Sequence, residues 1–365
     1  MKNNFLFFNI SAFFFAYFSV IAVYVIFLPK ILQMLHYSSQ QIGIIFAIAP
    51  LMRFLVPFIF LKHFELNNRV FYISLGIILL SSLSFYVSIE SFYLFIIPNI
   101  FIGASLGLIL PFIETYALEH LKKESFGKSR LFGSIGFMLT GIVLARELES
   151  YIVGLHFYLF FVIMTLIFGF LVTHKNSHFK KIEVDDEKFD LLKAKYLWIS
   201  LILIQVSFGA FYNFFTIYET ERGISLEMTS YLWAFGVICE IIFFYFQAPL
   251  LKYNLLLMLK IAVFSTVIRW LMLFLFPDSL TFAFASQSLH AFSFALHHTI
   301  ALSILHKIYK NKKLAGQFYY GFSFGFGGFI GAILAGYFYG DYLYLYASFV
   351  ALLSLLVLFA LKTKL

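Results

Sequence analysis

The residues most able to do chemistry fall inside long apolar stretches, where charge is costly. Arg53 closes the segment SQQIGIIFAIAPLMR (39–53), Glu240 closes EMTSYLWAFGVICE (227–240), and Arg269 sits within FSTVIRWLM. Asn99, Gly103, Gly107, Leu110 and Glu114 share one helical stripe, and Arg130 lies in FGKSRLFGSIGF (126–137). The segment QSLHAFSFALHHTI (287–300) places Gln287, His290 and Phe294 on one helical face, with His297 close to it and His298 beside it. Gln205, Phe208, Tyr212 and Asn213 share another face. A charged side chain at the centre of a bilayer costs about 2.5–3.5 kcal/mol or more. Each of these groups therefore needs a partner, a cavity or a ligand.

These residue types handle protons and anions. Histidine titrates near neutral pH, so Glu240, His290 and His297 are candidates for carrying a proton. Arg53, Arg130 and Arg269 are candidates for holding a carboxylate through charge-assisted hydrogen bonds. Gln205 and Asn213, among aromatic rings, suit an aromatic or sugar ligand. Structural readings stand beside these: Arg269 and Glu240 as an ion pair holding two helices, Arg130 as a helix-end anchor. Metal ligation is not expected, because no carboxylate or cysteine shares the histidine stripe. The single cysteine, Cys239, allows neither a disulfide framework nor a cysteine metal cluster. No cofactor is implied.

The elements that must position these groups follow from composition. The 365 residues are 62% hydrophobic and 12% charged, against about 45–50% and about 25% in soluble domains. A soluble globule and a disordered chain are both excluded. The net charge of +8 sits in short loops rather than in a basic domain, so nucleic acid is not an expected partner; the bilayer is. No cleavable signal peptide is expected, since the first apolar run continues to Leu28. A helix needs about 20 apolar residues to cross the hydrocarbon core. Twelve stretches qualify: 5–29, 39–61, 70–89, 92–119, 129–149, 152–173, 196–218, 228–250, 254–276, 279–306, 314–339 and 342–361. The polar segment 174–195 reads as a linker between an N-terminal six-helix half, 1–173, and a C-terminal six-helix half, 196–365.

With the N-terminus placed in the cytoplasm, cytoplasmic segments hold twenty-one Lys and Arg, while Lys30, Arg146 and Arg222 are the three outside. The positive-inside rule then puts both termini in the cytoplasm of a cell inner (plasma) membrane protein. The chain holds 6 Arg against 20 Lys, so an Arg inside a span points to a need for guanidinium geometry.

The halves read as parallel copies. An offset of 187 superposes Ala47 on Ala234 and Arg53 on Glu240, and the starts of spans 5 and 11 each carry a glycine-rich stripe. In span 11 it comprises Gly321, Gly325, Gly328 and Gly331, spaced for helix packing.

Together these features resemble the major facilitator superfamily: an all-α membrane protein of twelve transmembrane helices in two pseudo-symmetric halves. FGKSRLFGSIGF resembles the start of span 5 in lactose permease and its relatives. SYLWAFGVICEI (230–241), IRW (268–270), QSLHAFSFALHH and GQFYYGFSFGFGG (316–328) resemble the 3-phenylpropionate transporter branch. The resemblance implies a proton-coupled symporter that works as a monomer on a small organic solute, phenylpropionate-like or else a sugar or nucleoside. It also implies that Glu114 and Arg130 bind substrate, and that Glu240, Arg269 and His290 couple it to protons. Three departures stand out. Ser293 occupies the place of a carboxylate one turn after the histidine. Phe137 replaces a tryptophan of span 5. LKHFELNNR (61–69) lacks the superfamily's glycine- and Asp-containing basic motif. An embedded transferase is disfavoured: no His–Asp pair at short spacing, nucleophile elbow or Walker loop is present. A channel or sensor is disfavoured for want of a filter-like motif or signalling domain.

Overall fold

The computed structural model describes residues 2–63, 67–173 and 190–361. Among the described residues every regular element is helical and no strand occurs. Residues 174–189 of the expected linker lie outside the described residues. The spans are α1 Asn4–Met34, α2 Ser39–His63, α3 Asn68–Ser88, α4 Phe92–His120, α5 Lys123–Glu147, α6 Tyr151–Thr173, α7 Lys195–Glu221, α8 Leu226–Phe246 and α9 Leu255–Leu275. They continue with α10 Leu280–Ile308, α11 Leu314–Tyr337 and α12 Leu343–Phe359. Eleven are long and apolar enough to cross a membrane. The twelfth, α12, has 17 residues, roughly 26 Å at 1.5 Å per residue.

Polar caps start several of these helices. Asn67, Ser225 and Asn254 accept from the backbone N–H groups of Val70, Met228 and Leu257 at the starts of α3, α8 and α9. Each satisfies a donor that the first helical turn leaves open. Along the spans apolar side chains fill the interior and also cover the outside. Asn99 and Arg269 are fully buried, while Leu80, Val87 and Phe349 are exposed. An apolar exterior of this extent belongs in lipid rather than water.

The chain divides into two compact units, Met1–Ile182 and Glu183–Leu365. In the first, α1 packs on α5 and α6, α4 on α2 and α3, and α3 on α6. In the second, α7 packs on α11 and α12, α10 on α8 and α9, and α9 on α12. The pairings are the same with an offset of six helices, so the internal repeat of the sequence is a repeat of packing. Its tightest joints are equivalent too. A Cβ on Gly136 of α5 would lie 2.3 Å from the Phe15 carbonyl oxygen of α1, and one on Gly331 of α11 would lie 2.6 Å from that of Val206 on α7. Only glycine permits these approaches.

Three spans carry a widened, π-helical stretch: Val23–Phe27 in α1, Ala291–Leu296 in α10 and Tyr319–Gly327 in α11. Such stretches often accompany functional sites. The one in α10 begins directly after His290.

Candidate functional site

Unit 2 buries a polar cluster at its centre. Arg269 of α9 has no solvent exposure. Its Nη1 reaches His290 Nδ1 at 2.8 Å and donates to Ser293 Oγ at 3.2 Å, and its Nη2 donates to Gln287 Oε1 at 3.0 Å. All three partners lie on α10. The guanidinium carbon also stands 4.2 Å from the Phe211 ring centre, 4.6 Å from that of Trp270 and 5.7 Å from that of Phe208. Cation–π attraction in a desolvated setting contributes about 2 kcal/mol. Arg269 Nε has no hydrogen-bond partner.

The cluster fixes the state of His290. A guanidinium only donates, so Nδ1 must offer its lone pair and the ring proton must sit on Nε2. That nitrogen faces Glu240 Oε2 of α8 at 3.5 Å, near the outer limit of a hydrogen bond. Arg269 and Glu240 are thus linked through the neutral imidazole rather than as a direct pair. A proton arriving at His290 would occupy Nδ1 and turn it from acceptor to donor. The ring and Arg269 could not then keep this contact. Ser293, where a carboxylate was expected, serves as a neutral acceptor for Arg269.

The widened stretch also sets the stripe. The His290 and Phe294 rings stack at 5.2 Å, and Phe294 stacks on His298 at 6.3 Å. In a regular helix the seventh residue on returns to the face; one extra residue in the turn moves this to the eighth. His298 rather than His297 therefore continues the stack, and its Nε2 lies 3.3 Å from the Tyr320 hydroxyl of α11. His297 is buried, and its Nε2 has no hydrogen-bond partner.

On α7, Phe208 stacks on Tyr212 and meets Trp270 edge-on, which brings this face to the Arg269 cluster. Gln205 is buried where α11 crosses: a Cβ on Gly327 would lie 3.1 Å from its own Cβ. Asn213 donates to the Gly209 carbonyl of its own helix at 2.7 Å.

Unit 1 holds a second, more open site. Arg130 Nε donates to Glu114 Oε1 at 3.0 Å, and both side chains are about one-third exposed. The Arg130 guanidinium lies over Phe18 of α1, 4.1 Å from the ring centre. Sequence reasoning missed Phe18, because the α1–α5 pairing that brings it there is not local. Arg53 of α2 is exposed, and its Cα and Cγ lie beside Gly107 on the Glu114 stripe. Two turns of α4 separate Gly107 from Glu114, about 10 Å, so Arg53 stands along the stripe, apart from the ion pair. Its charge reaches the buried hydroxyls of Tyr17 and Tyr24. Those hydroxyls donate to the Leu106 carbonyl at 3.3 Å and to Asn99 Oδ1 at 3.1 Å, both on α4. Among the described residues no His, Cys, Asp or Glu group could hold a metal ion.

A family model described as "MFS_1 like family" matches residues 7–351. No curated protein matches the chain in sequence. Among solved structures, the chain is similar to the nucleoside transporter NupG, with a TM-score of 0.80, 15% identity and coverage of 98% of this chain and 100% of that one. The POT family transporter PepTSo gives 0.75 at 10% identity, covering 98% and 97%. The human organic anion transporter MFSD10 gives 0.67 at 14% identity, covering 98% and 100%. At these identities the likeness shows the fold.

Proposed function

The chain belongs to the MFS_1 like family of major facilitator transporters, and from that premise we propose that it is a proton-coupled symporter importing a small organic solute with a carboxylate and an aromatic ring. The observation that carries this reading is the Arg269 cluster. It combines a buried guanidinium among three aromatic rings with a neutral histidine that faces a carboxylate. A substrate carboxylate would compete with Gln287 and Ser293 for the Arg269 donors. A proton would load on Glu240 or His290, and loading at His290 would release Arg269. Protonation and substrate occupancy would then bias one two-state element. In unit 1 the proposed substrate contacts are Glu114, Arg130 and Arg53, and in unit 2 Arg269, Gln205 and Asn213. His297 is the remaining candidate in proton coupling. Residues 1–173 and 196–365 act as the transport halves in this reading, joined through 174–195, with both termini in the cytoplasm of the inner membrane and a monomer as the working unit.

A second reading, a proton symporter for a nucleoside or sugar, is favoured by the amides Gln205, Asn213 and Gln287 beside aromatic rings and by the fold likeness to NupG. Proteoliposomes separate the two. Under an inward proton gradient, 3-phenylpropionate should accumulate and a nucleoside should not. The converse selects the second reading. If 3-phenylpropionate, the nucleoside and a sugar all fail to exchange in counterflow at any pH, both readings fail.

A further inference from the structure

We propose that Glu219 is a proton-binding site at the C-terminal end of α7, carrying a proton in this conformation and exchanging it against the guanidinium of Arg222. The site is separate from the Arg269 cluster and stands whether or not Glu240 and His290 carry the coupling proton. Glu219 has no solvent exposure, and neither carboxylate oxygen has a hydrogen-bond partner. An ionised carboxylate buried without a donor is strongly unfavourable. Its place in the last turn of α7 compounds this, because the partial charge at a helix C-terminus is negative and repels an anion. A neutral carboxyl answers both.

Of the described groups around it, only the Tyr344 hydroxyl is unengaged. On α7, the Tyr218 hydroxyl donates to the Leu273 carbonyl of α9 at 3.3 Å. Glu221, two residues on, takes the Tyr339 hydroxyl. Burial and then the Glu221 carboxylate hold that hydroxyl well above its usual range, so it remains a donor to Glu221. On α8, Glu227 takes the Tyr231 hydroxyl of its own helix. On α12, Tyr344 is fully buried, its hydroxyl has no partner, and its ring meets Tyr218 edge-on. Glu219 acts electrostatically on Tyr344, and Asp278, before α10, acts on Tyr218. The nearest cation along the chain is Arg222, one helical turn on. Its guanidinium lies over the Tyr218 ring at 3.5 Å, and its Nη2 is held by Asp341 at 2.8 Å. The Asp341 side chain is 92% exposed and that of Arg222 14%, so water screens the acidic end of the pair and weakens it, while Arg222 Nη1 keeps a bond to the Tyr218 carbonyl at 3.3 Å. Loss of the Glu219 proton would create a buried anion, which Arg222 can meet by leaving Asp341.

The test is infrared spectroscopy of the purified full chain across a pH titration, read at the carbonyl stretch of protonated carboxyl groups, with Glu219→Gln and Asp341→Asn variants. The wild type should show a band that fades as pH rises and is missing from Glu219→Gln, which identifies it against contributions from Glu240 and Glu114. Glu219→Gln should fold with wild-type thermal stability, because Gln is isosteric with a neutral Glu; a variant that unfolds counts against the neutral form. Asp341→Asn frees Arg222 for the carboxylate and should lower the midpoint of the fading by about one pH unit, a tenfold loss of proton affinity. An unchanged spectrum in Glu219→Gln overturns the proton site. An unchanged midpoint in Asp341→Asn overturns the exchange with Arg222.

Discussion

Arg269 and His290 stand 2.8 Å apart, Nη1 to Nδ1, in a part of unit 2 closed to solvent. Because the arginine can only donate, this one distance decides which nitrogen of His290 carries the proton. It also places the histidine as the middle member of a chain from Glu240 to Arg269. The two charges at its ends do not touch, and a neutral ring passes their influence along.

A double-mutant cycle measures that order. Arg269→Ala leaves His290, Ser293 and Gln287 without a shared donor, at about 1–3 kcal/mol for each buried group left unpaired. His290→Ala removes one of the same contacts. The stability effects of Arg269→Ala and His290→Ala should therefore be coupled, by an amount in the range of about 0.5–3 kcal/mol that contacting residues show. The coupling of Arg269→Ala with Glu240→Gln should be smaller. Thermal unfolding of the purified variants reads both. A larger Arg269–Glu240 coupling would mean a direct pair and would remove the histidine from the middle.

Glu240→Gln tests proton coupling. An amide in this place keeps the size of the side chain and an oxygen that can face His290 Nε2, 3.5 Å from the present carboxylate, so the cluster should survive and the protein should fold. It cannot take up and release a proton. Uphill accumulation under a proton gradient should be lost, while exchange of internal for external solute continues. Acid-stimulated accumulation at the wild-type level would exclude Glu240 from the coupling step.

Much of the fold was legible because apolar runs of span length separated by polar breaks dictate helices in lipid. The Glu114–Arg130 contact was legible for a simpler reason: sixteen residues and one hairpin separate the two. The stripe on α10 was legible only as far as Phe294. Nothing in QSLHAFSFALHHTI marks the extra residue in the turn after His290, so the choice between His297 and His298 needed the backbone. Ser293 read as the absence of a carboxylate, yet it takes an N–H from Arg269. Phe18 and Glu219 were passed over because their meaning depends on distant chain: α1 against α5 for the first, α12 against α7 for the second.

The glycine stripe of α11 makes a graded prediction. Gly331→Ala would drive a Cβ to 2.6 Å from the Val206 carbonyl oxygen. That atom is backbone and cannot swing aside, so α7 and α11 must separate. Overpacking of this kind costs about 1–3 kcal/mol. Gly316→Ala, with nothing within 4 Å of the added Cβ, should leave stability within about 0.5 kcal/mol of wild type. Thermal unfolding of the two variants side by side checks it. Equal stability of the pair would mean that the joint between α7 and α11 is looser than these distances.

Arg130→Lys separates a binding site from a helix anchor in unit 1. An anchor at the end of α5 needs positive charge alone, and lysine supplies it. The observed geometry uses the shape of the guanidinium instead: Nε on Glu114 at 3.0 Å and the flat group over Phe18. Glu114 takes only the Nε donor in this arrangement, so the Nη edge is the part that can meet a substrate carboxylate in parallel bonds. Lysine offers a compact point charge with no such edge. Arg130→Lys should insert and fold normally yet lose at least about tenfold in substrate affinity, about 1.4 kcal/mol. Glu114→Gln should bring a similar loss, because it removes the charge that orients the guanidinium. Equilibrium binding of the transported solute to purified variants, with thermal stability as the folding control, reads the effect. Wild-type affinity in Arg130→Lys would make Arg130 an anchor and leave substrate recognition to Arg53 and the Arg269 cluster.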